Sequence, residues 1–238
     1  SEADYRQQYH PDLSPIGWHL GHCVYTEAYW IQEQLFEQQT DDPSLRSFYV
    51  PELSPKTART DKLPDKEEML QWTTVQQHHN RDLLEQGRQS ELDHHLLKNN
   101  FLYHFLIQHY SQHLETIQMI LTEIQLQNTS RPDNTDKVLT ASHPLNETIS
   151  MPSGRYPVGR SGPRLPYDNE YARHEVELKN YRICRYPVSN AEYLGFIEDG
   201  AYRNKKLWSK AGWQWREANC VQHPWHWRNG QDDHWYGI

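Results

Sequence analysis

Two stretches decide how this chain reads: Ser14-Pro15-Ile16-Gly17-Trp18-His19-Leu20-Gly21-His22 and His109-Tyr110-Ser111-Gln112-His113-Leu114-Glu115-Thr116. The second lies in a long helical pattern, so its i, i+4 spacing sets His109 and His113 one turn apart on a single helix face. Two imidazoles so placed can grip one metal ion. The first stretch supplies a third histidine at the start of another helix. Three neutral imidazoles leave positions open on a first-row metal, and open positions are where chemistry happens.

Outward from the histidine pair, the helical pattern runs from Leu92 to Gln127 with a break expected near Lys98-Asn99-Asn100. The resulting helix, about Asn100 to Leu126, carries Leu102, Phe105, Leu106, Leu114, Ile117, Leu121 and Ile124 at helical spacing. His109 and His113 lie near Phe105, Leu106 and Ile117, on the flank of the buried side. Glu115 points elsewhere. A helical histidine pair alone is a weak metal signal, because such pairs are often polar surface or core residues; the Trp18–His22 stretch is what strengthens it.

That first stretch opens a helix from Pro15 to about Gln39, with Ser14 as its expected cap and Pro15 in its first turn. Residues 43–64 are interrupted by Pro43, Pro51, Pro55 and Pro64 and read as a long connection with little regular structure. A further helix is predicted from Asp65 to about Gln86, with Met69, Leu70, Trp72, Val75, Leu83 and Leu84 as its apolar positions. Residues 129–146 are polar and rich in Thr, Ser, Pro, Asn and Asp, which suits a linker. Beyond Ile149 the composition changes. Short β-like runs appear at Arg155–Val158, His174–Leu178 and Tyr181–Tyr186, and a short helix at Asn190–Glu198 follows Pro187-Val188-Ser189. Trp208 to Ile238 reads as aromatic and loop-rich. The expected organisation is therefore α+β: a helical metal-binding domain over 1–128, a linker over 129–146, and the start of a second domain over 147–238.

The 238 residues include 24 basic and 32 acidic side chains, a formal charge of -8. That balance argues against nucleic acid or an anionic membrane as the main partner. Hydrophobic residues make up only 36%, but nine Trp and fifteen Tyr can bury large areas. No apolar run reaches the length of a membrane span, and no signal-peptide pattern opens the chain, so a cytoplasmic location is expected. Cys23, Cys184 and Cys220 are widely spaced, with no zinc-type pair among them. Cys23 points about 100° away from His22 on an ideal helix and reads as a packing residue.

These features resemble the ergothioneine-biosynthesis sulfoxide synthases, non-haem iron enzymes. In that family a DinB-like four-helix bundle precedes a C-type-lectin-like domain of the formylglycine-generating-enzyme (sulfatase-modifying-factor) type. The resemblance rests on Ser14-Pro15 through Leu20-Gly21-His22 and on Gln108 through Thr116. In the second domain it rests on Met151-Pro152-Ser153-Gly154, Tyr167-Asp168-Asn169-Glu170, Pro187-Val188-Ser189-Asn190 and Gly212-Trp213-Gln214-Trp215-Arg216. The resemblance implies His22, His109 and His113 as Fe(II) ligands, with His19 ranked second to His22. It implies Gln112 as a contact to the imidazole substrate and Arg59 as a contact to the thiol substrate's carboxylate. Family members continue past the position of Ile238, and the family's proton-transfer tyrosine is expected there, so the chain reads as a fragment with an incomplete second domain.

The activity implied is an iron- and O2-dependent oxidoreductase reaction. It joins a thiol, cysteine or γ-glutamylcysteine, to the imidazole of Nα-trimethylhistidine. Three readings compete with it: a selenoneine- or ovothiol-type synthase, a DinB-like metal-dependent thiol transferase that needs no O2, and a non-catalytic fragment. The residues themselves leave the metal open among Zn, Fe, Ni and Cu; only the resemblance selects iron.

Overall fold

Residues 1–38, 43–128, 137–138, 140, 147–160, 167–170, 172–229 and 235–237 are described by the structure, a computed structural model. The chain divides into two units: residues 1–125 with 158–174, and 126–157 with 175–238. The linker expected over 129–146 falls almost wholly outside the described residues.

The first unit is built on three long helical segments. A short α1 (Glu2–Arg6) precedes α2 (Ile16–Ala28), which runs directly into a π-helical segment at Tyr29–Leu35. Next come α3 (Pro43–Tyr49), the one-turn α4 (Arg59–Lys62), α5 (Lys66–Gln89) and α6 (Phe101–Asn128). The break before α6 is where the sequence puts it: Lys98 is extended, and Asn99 and Asn100 adopt φ of 55° and 59°. Asparagine tolerates this left-handed conformation better than most residues, so the pair ends one helical path and begins another. Two apolar clusters hold the unit together. Tyr5, Trp18, Tyr25, Tyr49, Leu63 and Met69 form one. Ile31, Leu35, Leu83, Leu96, Leu102 and Leu106 form the other.

Between the helices runs a buried polar chain. Fully buried Asn80 on α5 donates to Glu27 Oε1 at 3.0 Å. The π-helical turn carries Gln32 to Asn80 at 2.6 Å and Gln76 at 2.9 Å. Such turns are rare and recur at functional sites. The buried amides are thereby satisfied, as burial requires.

Several expectations need correction. Ser14 does not cap α2. Pro15 occupies that position without a side-chain bond, and the Ser14 hydroxyl instead accepts from Arg59. The proline-interrupted stretch 43–64 contains α3, because Pro43 sits at its start, where a missing N–H costs nothing. Leu114 and Leu121 on α6 and Leu70 and Val75 on α5 are exposed, so periodicity named the helices but overcounted their buried faces.

The second unit is small and rich in strands. Strand β1 (Lys137–Val138), β2 (Thr148–Met151), β3 (Gly154–Val158), β4 (His174–Leu178), β5 (Tyr181–Cys184), β6 (Trp227–Asn229) and β7 (Trp235–Gly237) make three short sheets, ordered β1-β7-β6, β2-β5 and β3-β4. Helix α7 (Asn190–Glu198) begins with a capping box between Ser189 and Glu192. Helix α8 (Lys210–Ala218), capped by Ser209, lies in a stretch expected to be loop, and β6 and β7 supply strands not expected there. The apolar residues of α8 are only Ala211, Trp213, Trp215 and Ala218, too few to stand out from the aromatic-rich stretch around them. Leu194, Ala201, Tyr202, Trp213 and Trp227 are buried.

One packing contact positions the functional residues. A Cβ at Gly21 would run into the Tyr49 ring, so the glycine is what lets α3 close onto α2. Gly21→Ala is expected to lower stability by about 1–3 kcal/mol through overpacking. Gly154→Ala, where the nearest atom to the new carbon is 3.8 Å away, should change it by no more than about 0.5 kcal/mol. Urea unfolding of both variants followed by circular dichroism checks this; equal effects would contradict the close-contact account.

Candidate metal centre

Helix α2 contributes His19 and His22, and α6 contributes His109 and His113. The ligand-capable nitrogens of His22, His109 and His113 lie within 4.8 Å of one another. The His22 and His109 ε nitrogens are 3.1 Å apart. Cis ligands of one ion have about that separation, since metal–imidazole bonds are about 2.0–2.1 Å long. His22 Nδ1 is 2.7 Å from the Tyr49 carbonyl. A carbonyl only accepts, so Nδ1 carries the proton and Nε2 keeps its lone pair toward His109.

Burial sets the charge state of the cluster. It lowers the pKa of His19 and His109 to about 3 and that of His113 to about 4, and it also holds His22 below the ordinary histidine value. In each case desolvation of the charged ring is the largest cause and positive neighbours add to it for most. The rings are therefore neutral at pH 7, each with a lone pair to offer. The donor set fits a first-row divalent cation, and its all-nitrogen character suits Zn, Fe, Ni or Cu rather than Mg or Ca.

Around the histidines lies a cleft of about 520 Å³, lined among others by Ser14, Trp18, His19, His22, Arg59 and His113. Trp18 organises this wall. Its ring stacks on His22, with centroids 4.7 Å apart and planes within 8°. The Arg59 guanidinium lies 3.5 Å over the same indole. The indole N–H donates to the Phe48 carbonyl at 2.9 Å. Arg59 is 97% buried (3% exposed) and donates to the Ser54 carbonyl through Nε at 3.0 Å and Nη2 at 2.6 Å, and to Ser14 Oγ through Nη1. Among the described residues no carboxylate forms an ion pair with it. The cation–π contact and backbone carbonyls stabilise the buried charge. Lys56 lines the same cleft and donates to the Asp12 carbonyl at 2.6 Å.

Of the residues singled out in the sequence, His22, His109, His113, His19 and Arg59 are brought to one neighbourhood. Gln112 is exposed, one position before His113. Cys23 is buried, and burial raises its thiol to about 12, which suits packing and not nucleophilic chemistry. Sequence reasoning missed three contributors. Trp18 carried a usable signal, its i, i+4 spacing to His22. The Tyr49 carbonyl carried none, because a backbone acceptor has no side-chain signature. The third is Tyr110, whose hydroxyl donates to Glu27 Oε2 at 2.5 Å and ties α6 to α2 beside His109.

Comparison with known proteins agrees with this architecture. Residues 1–117 match the DinB superfamily, and residues 135–234 match the sulfatase-modifying factor enzyme 1-like domain. Hercynine oxygenase of Mycolicibacterium thermoresistibile is 28% identical over 244 residues, covering 95% of this chain and 50% of that protein. The hercynine oxygenases of Mycolicibacterium smegmatis and Mycobacterium tuberculosis are each 27% identical, over 95% and 96% of this chain and 52% and 53% of their own lengths. The chain thus spans about half the length of the curated relatives it matches. The two-domain resemblance read from the motifs is borne out. No helix among the described residues is long and apolar enough to cross a membrane.

If three imidazoles share one ion, each must matter to its retention. Single replacement of His22, His109 or His113 by Ala is expected to reduce bound metal from about one equivalent per chain to a small fraction, measured by elemental analysis after desalting. Full occupancy in His22→Ala together with loss in His19→Ala would move the first ligand one turn along α2.

Proposed function

We propose that this chain, which pairs a DinB superfamily domain with a sulfatase-modifying factor enzyme 1-like domain, belongs to an Fe(II)- and O2-dependent sulfoxide synthase. Its substrates would be hercynine, which is Nα-trimethylhistidine, and a thiol, cysteine or γ-glutamylcysteine. The observation that carries the reading is the convergence of the His22, His109 and His113 nitrogens beside a cleft that His22 and His113 line together with a buried, unneutralised guanidinium. The relatives' name supplies the reaction class: oxygenation of hercynine.

Each residue then has a definite task. His22, His109 and His113 would hold the iron through neutral nitrogens. When bound, the metal supplies an oxidising centre and open positions at which two substrates and dioxygen can meet. Holding them together replaces an improbable encounter with an oriented one. Trp18 keeps His22 in plane and Arg59 in place. The positive wall of Arg59 and Lys56 suits the carboxylate of an amino-acid thiol. Gln112, with both a donor and an acceptor on its amide, would bond the imidazole substrate from the edge of the site.

Binding rather than turnover gives the cleanest test. Under argon, calorimetric titration of Nα-trimethylhistidine into Fe(II)-loaded protein should show a metal-dependent site. Gln112→Ala should keep the iron and weaken that binding by roughly two- to tenfold, the worth of one hydrogen bond. Loss of iron with unchanged substrate affinity would put Gln112 in the wrong role. Zinc retention without any hercynine binding would favour a thiol transferase instead.

A further inference from the structure

His19 is the fourth histidine of the cluster and is given no task by the three-ligand reading. It is 95% buried (5% exposed), and its Nδ1 lies 2.8 Å from the Nδ1 of His113. Its Nε2 is buried with no hydrogen-bond partner. At this distance the two δ nitrogens are hydrogen-bonded, with one proton between them. It can belong to either ring, and the choice has consequences.

If the proton sits on His19, neutral His113 carries its own proton on Nε2. Both of its nitrogens are then occupied and it cannot hold a metal. If the proton sits on His113 Nδ1, the ε nitrogen of His113 keeps a lone pair that a metal can use. His19 is then the acceptor, protonated on Nε2. Only the second arrangement is compatible with His113 as a ligand.

We infer that His19 is a positioning residue: its δ nitrogen accepts the Nδ1 proton of His113, fixing that ring's orientation and leaving its ε nitrogen bare for a metal. The role parallels that of the Tyr49 carbonyl toward His22. The two ligands are thus oriented by different kinds of acceptor, one a backbone oxygen and the other a neutral imidazole. Because the imidazole is uncharged, it orients His113 without adding negative charge to the centre, unlike the carboxylate that often fills this place. Both the choice of ring for the proton and the consequence for metal affinity rest on the three-histidine reading, and each can be measured by itself.

Two measurements separate these. Two-bond ¹H–¹⁵N correlation spectra of the metal-free protein report which nitrogen of each ring is protonated. The expected result is His113 protonated on Nδ1 and His19 on Nε2. His113 protonated on Nε2 would overturn the inference, whatever the metal does. The second measurement is Co(II) affinity, read from its visible absorption in competition with a chelator. His19→Leu removes the acceptor and is expected to weaken Co(II) binding by about ten- to a hundredfold. His19→Asn, whose amide oxygen can stand where Nδ1 stood, should recover most of that loss. Equal loss in the two variants, or no loss in either, would overturn the positioning role. Retention of cobalt in His113→Ala with loss in His19→Leu would make His19 a ligand and overturn it too. A wild-type protein that binds no cobalt yet shows His113 protonated on Nδ1 would sink the metal reading while supporting the pairing.

Discussion

The hydrogen bond from His22 Nδ1 to the Tyr49 carbonyl is the constraint on which the rest of the site depends. It fixes a tautomer, and with it the direction of the lone pair on Nε2. The carbonyl is in place only because α3 closes onto α2, and α3 closes only because position 21 carries no side chain. The Tyr49 ring fills the space over Gly21 and stacks on Trp72 with planes within 11°. Backbone chemistry, a glycine and an aromatic core therefore combine to aim one imidazole. The same helix turns Trp18 and His19 toward the cleft, so a single packing contact sets the geometry of several groups.

A second constraint acts on α6. His109 and His113 can meet His22 only at one rotation and one height of the helix. The Tyr110–Glu27 bond and the amide chain through Asn80 and Gln32 tie α6, α2 and α5 together just beside the cluster. A half-buried carboxylate and the two buried amides of Gln32 and Asn80 would be costly if left unpaired. Satisfied, they favour one register over its neighbours.

Much of this was legible in the sequence. The His109–His113 spacing and the third histidine at His22 identified the cluster, because helical periodicity translates directly into a shared face. The break at Asn99-Asn100 was legible for the same reason, since asparagine marks places where a helix stops. Helix α7 was legible through Ser189 and Glu192. Other elements were hidden. Helix α3 lies among prolines, and a proline at a helix start looks the same in sequence as one that breaks a helix. Helix α8 buries chiefly Trp213, too little to show a period. The exposed Leu114 and Leu121 share their helix with truly buried positions, and only tertiary packing tells them apart. The carbonyl that orients His22 comes from a segment with no pattern of its own, so no reading of side chains could have found it.

The central claim is that three neutral imidazoles, and no thiolate, bind one metal in the helical unit. Cys23 neighbours His22 in sequence but is buried with its thiol held protonated. X-ray absorption at the iron edge of the Fe(II)-loaded protein, without substrates, tests this most directly. The account predicts a first shell of nitrogen and oxygen scatterers, with the outer-ring multiple scattering of about three imidazoles and no sulfur. A sulfur scatterer at about 2.3 Å, or an imidazole signal that survives intact in a His109→Ala/His113→Ala double variant, would contradict it.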